Sequence, residues 1–374
     1  MECRAMSDVA KMAAELQALA ALPEDRPWGL AGRFYTDADW FGHEVRGVLK
    51  RGWHCLGRAD EAPEAGDFFC VELLGEPLIV VRGEDGTVRV LSNVCRHRGM
   101  PLAEGRGRLK RFVCSYHAWA YGLDGALLRA ARMENAGFDP ETCRLHGFAT
   151  RVWNGMVYAC LAEEVPVFEA PALDGLLAPY APEAFRLVHV AEEVWHCNWK
   201  SLVENFMEGY HLSVVHPQTL HPYTPTGMAR KGPDGPGFTS YFANYPESAA
   251  TRGQGAAGLS EEERRRSTLF ARFPAQVASQ AATLLVSLSL FPEGSGATRV
   301  KWTMAQYGDE LDAATIAQRI ALWEEVNRED REKLERMQRA LGSAHALGGP
   351  LAGADYEGTV RDFLIWLAAE EAAA

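Results

Sequence analysis

No run of apolar residues in this 374-residue chain approaches the roughly 20 needed to span a bilayer. Positive charge is not in excess either. The formal net charge is −12, which argues against nucleic acid or an anionic membrane surface as the main partner. The opening stretch, MECRAMSDVAKMAAEL, has no basic segment followed by an apolar one, so no secretory signal is expected. Internal repeats and low-complexity tracts are missing as well. The eight cysteines (Cys3, Cys55, Cys70, Cys95, Cys114, Cys143, Cys160 and Cys197) are scattered rather than packed into a small frame. That distribution suits a reducing cytoplasm better than a disulfide scaffold, and most of them are expected to be buried small hydrophobes. What remains is an ordinary globular composition, 47% hydrophobic and 24% charged, long enough for two domains.

The texture of the chain changes twice. Residues 1–44 read as a helical lead-in packing on the catalytic domain, with an irregular stretch around Pro23, Pro27 and Gly29. Residues 45–162 carry short β-type runs, Phe68–Leu73, Leu78–Val81, Val88–Ser92, Phe112–Cys114, Ala120–Tyr121 and Trp153–Leu161. Turn signals such as Gly75-Glu76-Pro77 separate them, which predicts an antiparallel β domain. From 163 to 374 helical patterns (Trp199–Leu212, Leu311–Leu341, Thr359–Ala369) alternate with strand-like runs (Ala282–Phe291, Arg299–Gln306). The fold class is therefore α+β, with a sheet partly covered by helices. Lys231–Glu263, rich in Gly, Ser and Pro, reads as a surface excursion or lid.

Two short segments of the β region carry mixed metal-binding chemistry. They are Cys95-Arg96-His97 and Cys114-Ser115-Tyr116-His117, each with one thiol and one imidazole on a glycine-flanked loop. In a Rieske [2Fe–2S] centre two cysteines hold one iron and two histidines the other, and the neutral imidazoles raise the potential. Structural zinc in a closed tetrahedron is the competing use of the same four residues. A zinc finger, however, presents a cysteine pair followed by a histidine pair. The segment CRHRGMPLAEGRG with CSYHAWAYGLDGAL resembles the Rieske domain of ring-hydroxylating and related oxygenases.

A second constellation follows in NWKSLVENFMEGYHLSVVHP. On a helix through this segment Trp199, Val203, Phe206 and Tyr210 form an apolar stripe, and Glu204, Glu208 and His211 share another face. His216 follows just before Pro217. Two imidazoles plus one carboxylate form the facial triad of non-haem Fe(II) oxygenases, with open positions for O₂ and substrate. The carboxylate is expected at Asp330, which falls inward in a stripe of Ile316, Ile320, Trp323, Val326 or Asn327, Leu334, Met337 and Leu341. There a metal would compensate its charge. Glu329 and Glu332 read as solvated, and His43, His54, His146, His189, His196, His221 and His345 as structural.

From about Tyr35 to Trp366 the chain is similar to the α (oxygenase) subunits of Rieske non-haem iron oxygenases, and REDREKLERMQRALGS matches their late helix. The resemblance implies a helix-grip-like catalytic domain, a cluster held by Cys95, His97, Cys114 and His117, and mononuclear Fe(II) held by His211, His216 and Asp330. It implies a head-to-tail homotrimer, sometimes with a separate β-subunit, and a flavin/iron–sulfur reductase or ferredoxin drawing on NAD(P)H. Glu208 would be the inter-subunit electron bridge between the two centres. The basic run Arg106, Arg108, Lys110 and Arg111 either docks an acidic donor or is a solvated hairpin.

Ring-hydroxylating dioxygenases usually carry Asp at the bridging position. Glu208 resembles instead the choline, carnitine and glycine-betaine monooxygenase branch and related N-demethylases. A quaternary ammonium or N-methyl substrate is thus expected, with Tyr210, Tyr223, Trp302 and Phe291 available for an aromatic cage. An aromatic ring or an aromatic acid ether is the alternative substrate. A Rieske electron carrier without oxygenase activity is the remote one.

Overall fold

The computed structural model describes residues 2–133, 137–308 and 312–373, with side chains from residue 8 onward. It divides into two compact units, 53–165 and the combination of 1–52 with 166–374. Among the described residues no helix is long and apolar enough to cross a membrane.

The first unit is an antiparallel sheet of seven strands. Its centre pairs Asp67–Leu73 with Glu76–Arg82, and Glu76–Arg82 with Val88–Ser92. The tight Leu74-Gly75 turn, with both residues at positive φ, closes the first of these hairpins. The expected run Trp153–Leu161 is really the end of one strand, Gly147–Trp153, and a second, Met156–Cys160. Asn154 and Gly155 turn between them, both left-handed. A three-stranded sheet, Phe112–Val113, Ala120–Tyr121 and Leu127–Arg129, carries one of the cysteine–histidine loops. Phe68, Ile79, Val81, Leu91, Phe112 and Trp119 form the core beneath both loops, together with Cys95 and Cys114.

The second unit is a seven-stranded antiparallel sheet in the order 185–195, 297–307, 284–294, 276–280, 266–272, 238–244, 229–231. Strands 266–272 and 276–280 are buried at every position although they carry Arg266, Ser267, Thr268, Arg272, Gln276, Ser279 and Gln280, so neither an apolar run nor an alternation marks them in the sequence. Phe238–Asn244 lies inside the segment expected to be a surface excursion. Its apolar residues do not alternate and Gly and Pro flank it, which masked it, yet it pairs along its whole length with Arg266–Arg272. The helix Glu2–Ala20 belongs to this unit, where Gln17 Nε2 donates to Ala368 O in the helix Ala354–Ala372 (2.6 Å). The long helix runs Ala313–Leu341 behind an Asp312 cap, and its expected first residue, Leu311, lies outside the described residues.

Candidate functional site

In the first unit the two cysteine–histidine loops are conformational twins. Gly99 N–H donates to Cys95 O (2.9 Å) and Ala118 N–H to Cys114 O (3.0 Å). Cys95 N–H donates to Met100 O and Cys114 N–H to Trp119 O (3.0 and 2.8 Å). The fourth residue after each cysteine is left-handed, φ 74° at Gly99 and 58° at Ala118. Ala118 accepts a conformation that costs a non-glycine residue of order 1 kcal/mol. Both loops thus turn their side chains toward one place. Cys95 and Cys114 are buried, whereas His97 is half-buried and His117 exposed.

His97 Nδ1 and His117 Nδ1 lie 3.1 Å apart, and His97 stacks on Trp119 at 4.9 Å with the planes 8° apart. Tyr121 Oη lies 3.4 Å from Cys95 Sγ and accepts from Arg96 N–H (3.0 Å). Burial, and then the contact with Cys95, push the Tyr121 hydroxyl well above its ordinary pKa, so it stays protonated. Two converging imidazole nitrogens on the outside and two buried sulfurs within suit a cluster with one iron on each side. Zinc would draw all four donors to one point. Among the described residues, only His211, His216 and Asp330 bring three such donors within 4.8 Å of one another.

That triplet lies in the second unit. Asp330 Oδ1 is 3.0 Å from His216 Nε2 and 3.7 Å from His211 Nε2. His216 is fully buried, and its Nε2 has no hydrogen-bond partner despite the nearby carboxylate. A buried nitrogen aimed at an oxygen without bonding to it fits a cation between them. Both imidazoles present Nε2 because both Nδ1 atoms are taken by carboxylates. His211 Nδ1 meets Glu208 Oε1 at 2.5 Å and His216 Nδ1 meets Glu329 Oε2 at 2.8 Å. Thr219 Oγ1 donates to the same Glu329 oxygen (2.7 Å), and Asn205 Nδ2 to Asp330 Oδ1 (3.4 Å). Burial works to lower the pKa of His211, but Glu208, and then Asp330, outweigh it and raise it.

Glu329 corrects the expectation that it is solvated. It sits one residue before Asp330 on the helix, beside rather than within the apolar stripe, and Thr219 draws it in. Glu332 is exposed, paired with Arg328, as expected. A second correction concerns how Glu208 reaches His211. The helix ends at Phe206, not Leu212. Thr359 Oγ1 captures Met207 O, and a Cβ at Gly209 would meet Ala229 Cβ at 2.6 Å, so the backbone leaves the helix there. Glu208 then curls back and accepts from the backbone N–H groups of Tyr210 and His211. Tyr210 leaves the apolar stripe and is exposed against Tyr356. Glu204 remains on the helix, bonded to Tyr35 Oη (2.8 Å). It shares with Glu208 and His211 a cavity of about 420 Å³.

The expected cage is only partly assembled. Strand register puts Phe291 on the sheet face opposite Tyr241 and Ser279, where Arg299 covers its ring. Trp302 is buried against His189. Other aromatic residues stand nearer the triad. Phe206 and Trp323 stack at 6.4 Å, and the Tyr241 hydroxyl is raised in pKa by burial and then by Glu208 and Asp330. Periodicity had marked Trp323 and Phe206 only as core, and no sequence signal marked Tyr241.

The model of the ring-hydroxylating α-subunit catalytic domain matches residues 183–370, half of the chain, and that of the Rieske [2Fe–2S] domain matches 52–152. The chain belongs to the Rieske ring-hydroxylating oxygenase α-subunit family. It has a Rieske [2Fe–2S] domain and a catalytic domain of the mononuclear iron type. Among the relatives of this family member is the carnitine monooxygenase oxygenase subunit of Escherichia coli (strain K12). The two are 35% identical over 196 residues, 51% of this chain and 52% of that protein. The glycine betaine monooxygenase oxygenase subunit of Chromohalobacter salexigens is 35% identical over 191 residues, 50% of this chain and 43% of that protein. The chain thus spans about half the length of the curated relatives it matches.

Its fold is that of solved members. The quaternary ammonium Rieske monooxygenase CntA superposes with a TM-score of 0.82 at 22% identity, over 95% of this chain and 98% of that one. Naphthalene 1,2-dioxygenase from Rhodococcus sp. gives 0.81 at 18% identity, over 98% and 97%. The near-equal scores show that fold alone does not choose the substrate.

Proposed function

We propose that this chain is the oxygenase component of a multicomponent Rieske monooxygenase acting on a quaternary ammonium or N-methyl compound. The observation that carries the oxygenase reading is the convergence of His211, His216 and Asp330, each imidazole turned by a carboxylate on its far nitrogen. In this reading Cys95, Cys114, His97 and His117 hold the [2Fe–2S] cluster, and the triad holds mononuclear iron on one face. A mononuclear iron there would supply O₂ activation and insertion of one oxygen atom into a neighbouring C–H bond. Glu208 and Glu329 hold the two imidazoles in the tautomer that leaves Nε2 unprotonated. Asn205 restrains Asp330, and the surrounding Phe206, Trp323 and Tyr241 exclude water.

Electrons would come singly from a flavin/iron–sulfur reductase or ferredoxin, and in a head-to-tail trimer Glu208 would link His211 to the cluster of a neighbouring subunit. Support for the substrate class comes from Glu at position 208 and from relatives named for carnitine and glycine betaine. Hydroxylation of a carbon next to nitrogen gives a hemiaminal, which collapses to an aldehyde and an amine. An aromatic substrate is the second reading, compatible with the fold shared with naphthalene 1,2-dioxygenase.

Single turnover of the pre-reduced protein with O₂, followed by mass spectrometry on pooled ammonium compounds and aromatic acids, tests both. Aldehyde or dealkylated amine from an ammonium compound is the expected product. A hydroxylated ring or cis-diol would overturn the substrate assignment and leave the oxygenase reading standing.

A further inference from the structure

A second, narrow cavity in the catalytic unit is bordered by Leu212, Leu220, Tyr241, Arg252, Ser267 and Trp323. Its wall adjoins the triad. Leu212 follows His211, Trp323 lies two turns before Asp330 on the same helix, and Tyr241 feels the charges of Glu208 and Asp330. Its lining is aromatic, aliphatic or hydroxylic except at Arg252.

Arg252 differs from the other arginines of its loop. Arg264 donates to Gln254 O (2.9 Å), Leu259 O and Ala256 O, and Arg265 to Pro246 O (2.8 Å). Arg266 pairs with Glu262 (2.8 Å). The Arg252 guanidinium instead lies between two rings, 5.0 Å from the Tyr223 centroid and 5.5 Å from that of Tyr245. Among the described residues it has neither a carboxylate nor a hydrogen-bond acceptor. Its backbone is held in place, because Arg252 O accepts from Thr283 Oγ1, which in turn accepts from Arg319 Nη1 (3.0 Å).

A guanidinium with its donor fork unused, lining a narrow cavity that adjoins the triad, is a site for a planar anion. We propose that Arg252 anchors the carboxylate of a zwitterionic substrate whose trimethylammonium group packs on Trp323, Phe206 and Tyr241 beside the iron ligands. The proposal rests on the quaternary ammonium reading and narrows it to ω-trimethylammonio carboxylates over the corresponding alcohols. Aromatic faces attract the cation and cannot distinguish acid from alcohol, so the discrimination falls to Arg252. The cavity encloses only about 30 Å³, so binding requires Leu220 and the Arg252 loop to part.

The test is calorimetric binding to the full protein. Three ligands are compared: a trimethylammonio carboxylate, the trimethylammonio alcohol of equal length, and an aromatic carboxylate. In R252Q the zwitterion is expected to bind roughly 10- to 100-fold more weakly while the alcohol is unchanged. R252K, which keeps the charge but not the fork, recovers part of the loss, and wild-type retention of the mononuclear iron confirms that the catalytic unit of both variants folds. Equal weakening of both ammonium ligands in R252Q, or no change in either, overturns the anchor while the substrate reading survives. Wild-type protein that binds the aromatic acid and neither ammonium compound overturns the substrate reading, and the zwitterion assignment falls with it.

Discussion

His216 Nδ1 lies 2.8 Å from Glu329 Oε2, so the buried imidazole carries its proton on that nitrogen and offers Nε2 to the site. Glu208 does the same for His211 from a different element. Two carboxylates therefore orient the pair, yet only Glu208 stands beside the large cavity. Their roles should separate on mutation.

Glu329→Gln is expected to weaken mononuclear iron binding by about 10- to 100-fold, the usual cost of losing a carboxylate behind a metal-bound histidine. The [2Fe–2S] absorbance should be unaffected. Metal analysis after dialysis against a graded chelator checks this. Retention equal to wild type would mean that Thr219 and burial suffice to hold His216.

Asp330→Ala should remove the mononuclear iron and abolish turnover, with the cluster intact. Glu332→Ala, two residues on and exposed, should change neither by more than about twofold, as is usual for a surface residue. Electron paramagnetic resonance of the reduced cluster beside iron quantitation distinguishes the two. A Rieske carrier without a second metal would show no difference between them.

Tyr121→Phe removes a hydroxyl 3.4 Å from Cys95 Sγ. Hydrogen bonds to cluster sulfur stabilise the reduced, more negative state. The reduction potential of the variant should therefore fall, and spectroelectrochemistry reads the shift. A rise, or no change, would show that the hydroxyl serves only the Arg96 N–H.

Glu204 carries a pH signature. Burial, partly offset by Tyr35 and Lys200, pushes its carboxyl up to about 7 from an ordinary 4.5. The folded state then binds the extra proton between those values. Its stabilising contribution is complete below pH 4.5 and is lost as pH rises through 7. Glu204→Gln, which cannot ionise, should gain about 1–3 kcal/mol relative to wild type between pH 5 and pH 8. The lower part of that range applies if water reaches the cavity edge of Glu204. Thermal melts at the two pH values measure it, and parallel pH dependence in the two proteins would contradict it.

The basic run divides on inspection. Arg108 pairs with Asp67 (2.6 Å) and Arg106 lies 3.6 Å from Glu61, whereas Lys110 and Arg111 are exposed with no ion pair among the described residues. If an acidic electron donor docks here, Lys110→Glu with Arg111→Glu should raise its KM by about 3- to 10-fold at low salt, with the effect fading near 0.5 M. Reductase-supported turnover across a salt series is the measurement. Unaltered KM at low salt would make the run a solvated hairpin.

Much of this molecule was legible in the sequence because its chemistry is local. A cysteine and a histidine within four residues can be recognised wherever the loop lies, and the helical stripe around Asp330 pointed one acid inward. Strands such as Asp67–Leu73, Glu76–Arg82 and Val88–Ser92 followed from turn residues for the same reason, whereas Phe185–Trp195, Arg266–Arg272 and Gln276–Gln280 went unmarked. Side-chain partners drawn from remote segments were not legible. Glu329 read as solvated because its helix position says nothing of Thr219 and His216, which approach from over a hundred residues away. Phe291 read as a cage candidate because only strand register decides which sheet face it occupies. The end of the helix at Phe206, after which Glu208 folds onto His211, depends on Thr359 capturing Met207 O and on the close approach of Ala229 to Gly209 from other elements. Sequence by itself determined which metal chemistry the chain can hold, since that depends on residue types at short range. Tertiary structure alone decided that Glu329 orients His216 and that Arg252 lies between two aromatic rings, because those choices are made by packing between distant segments.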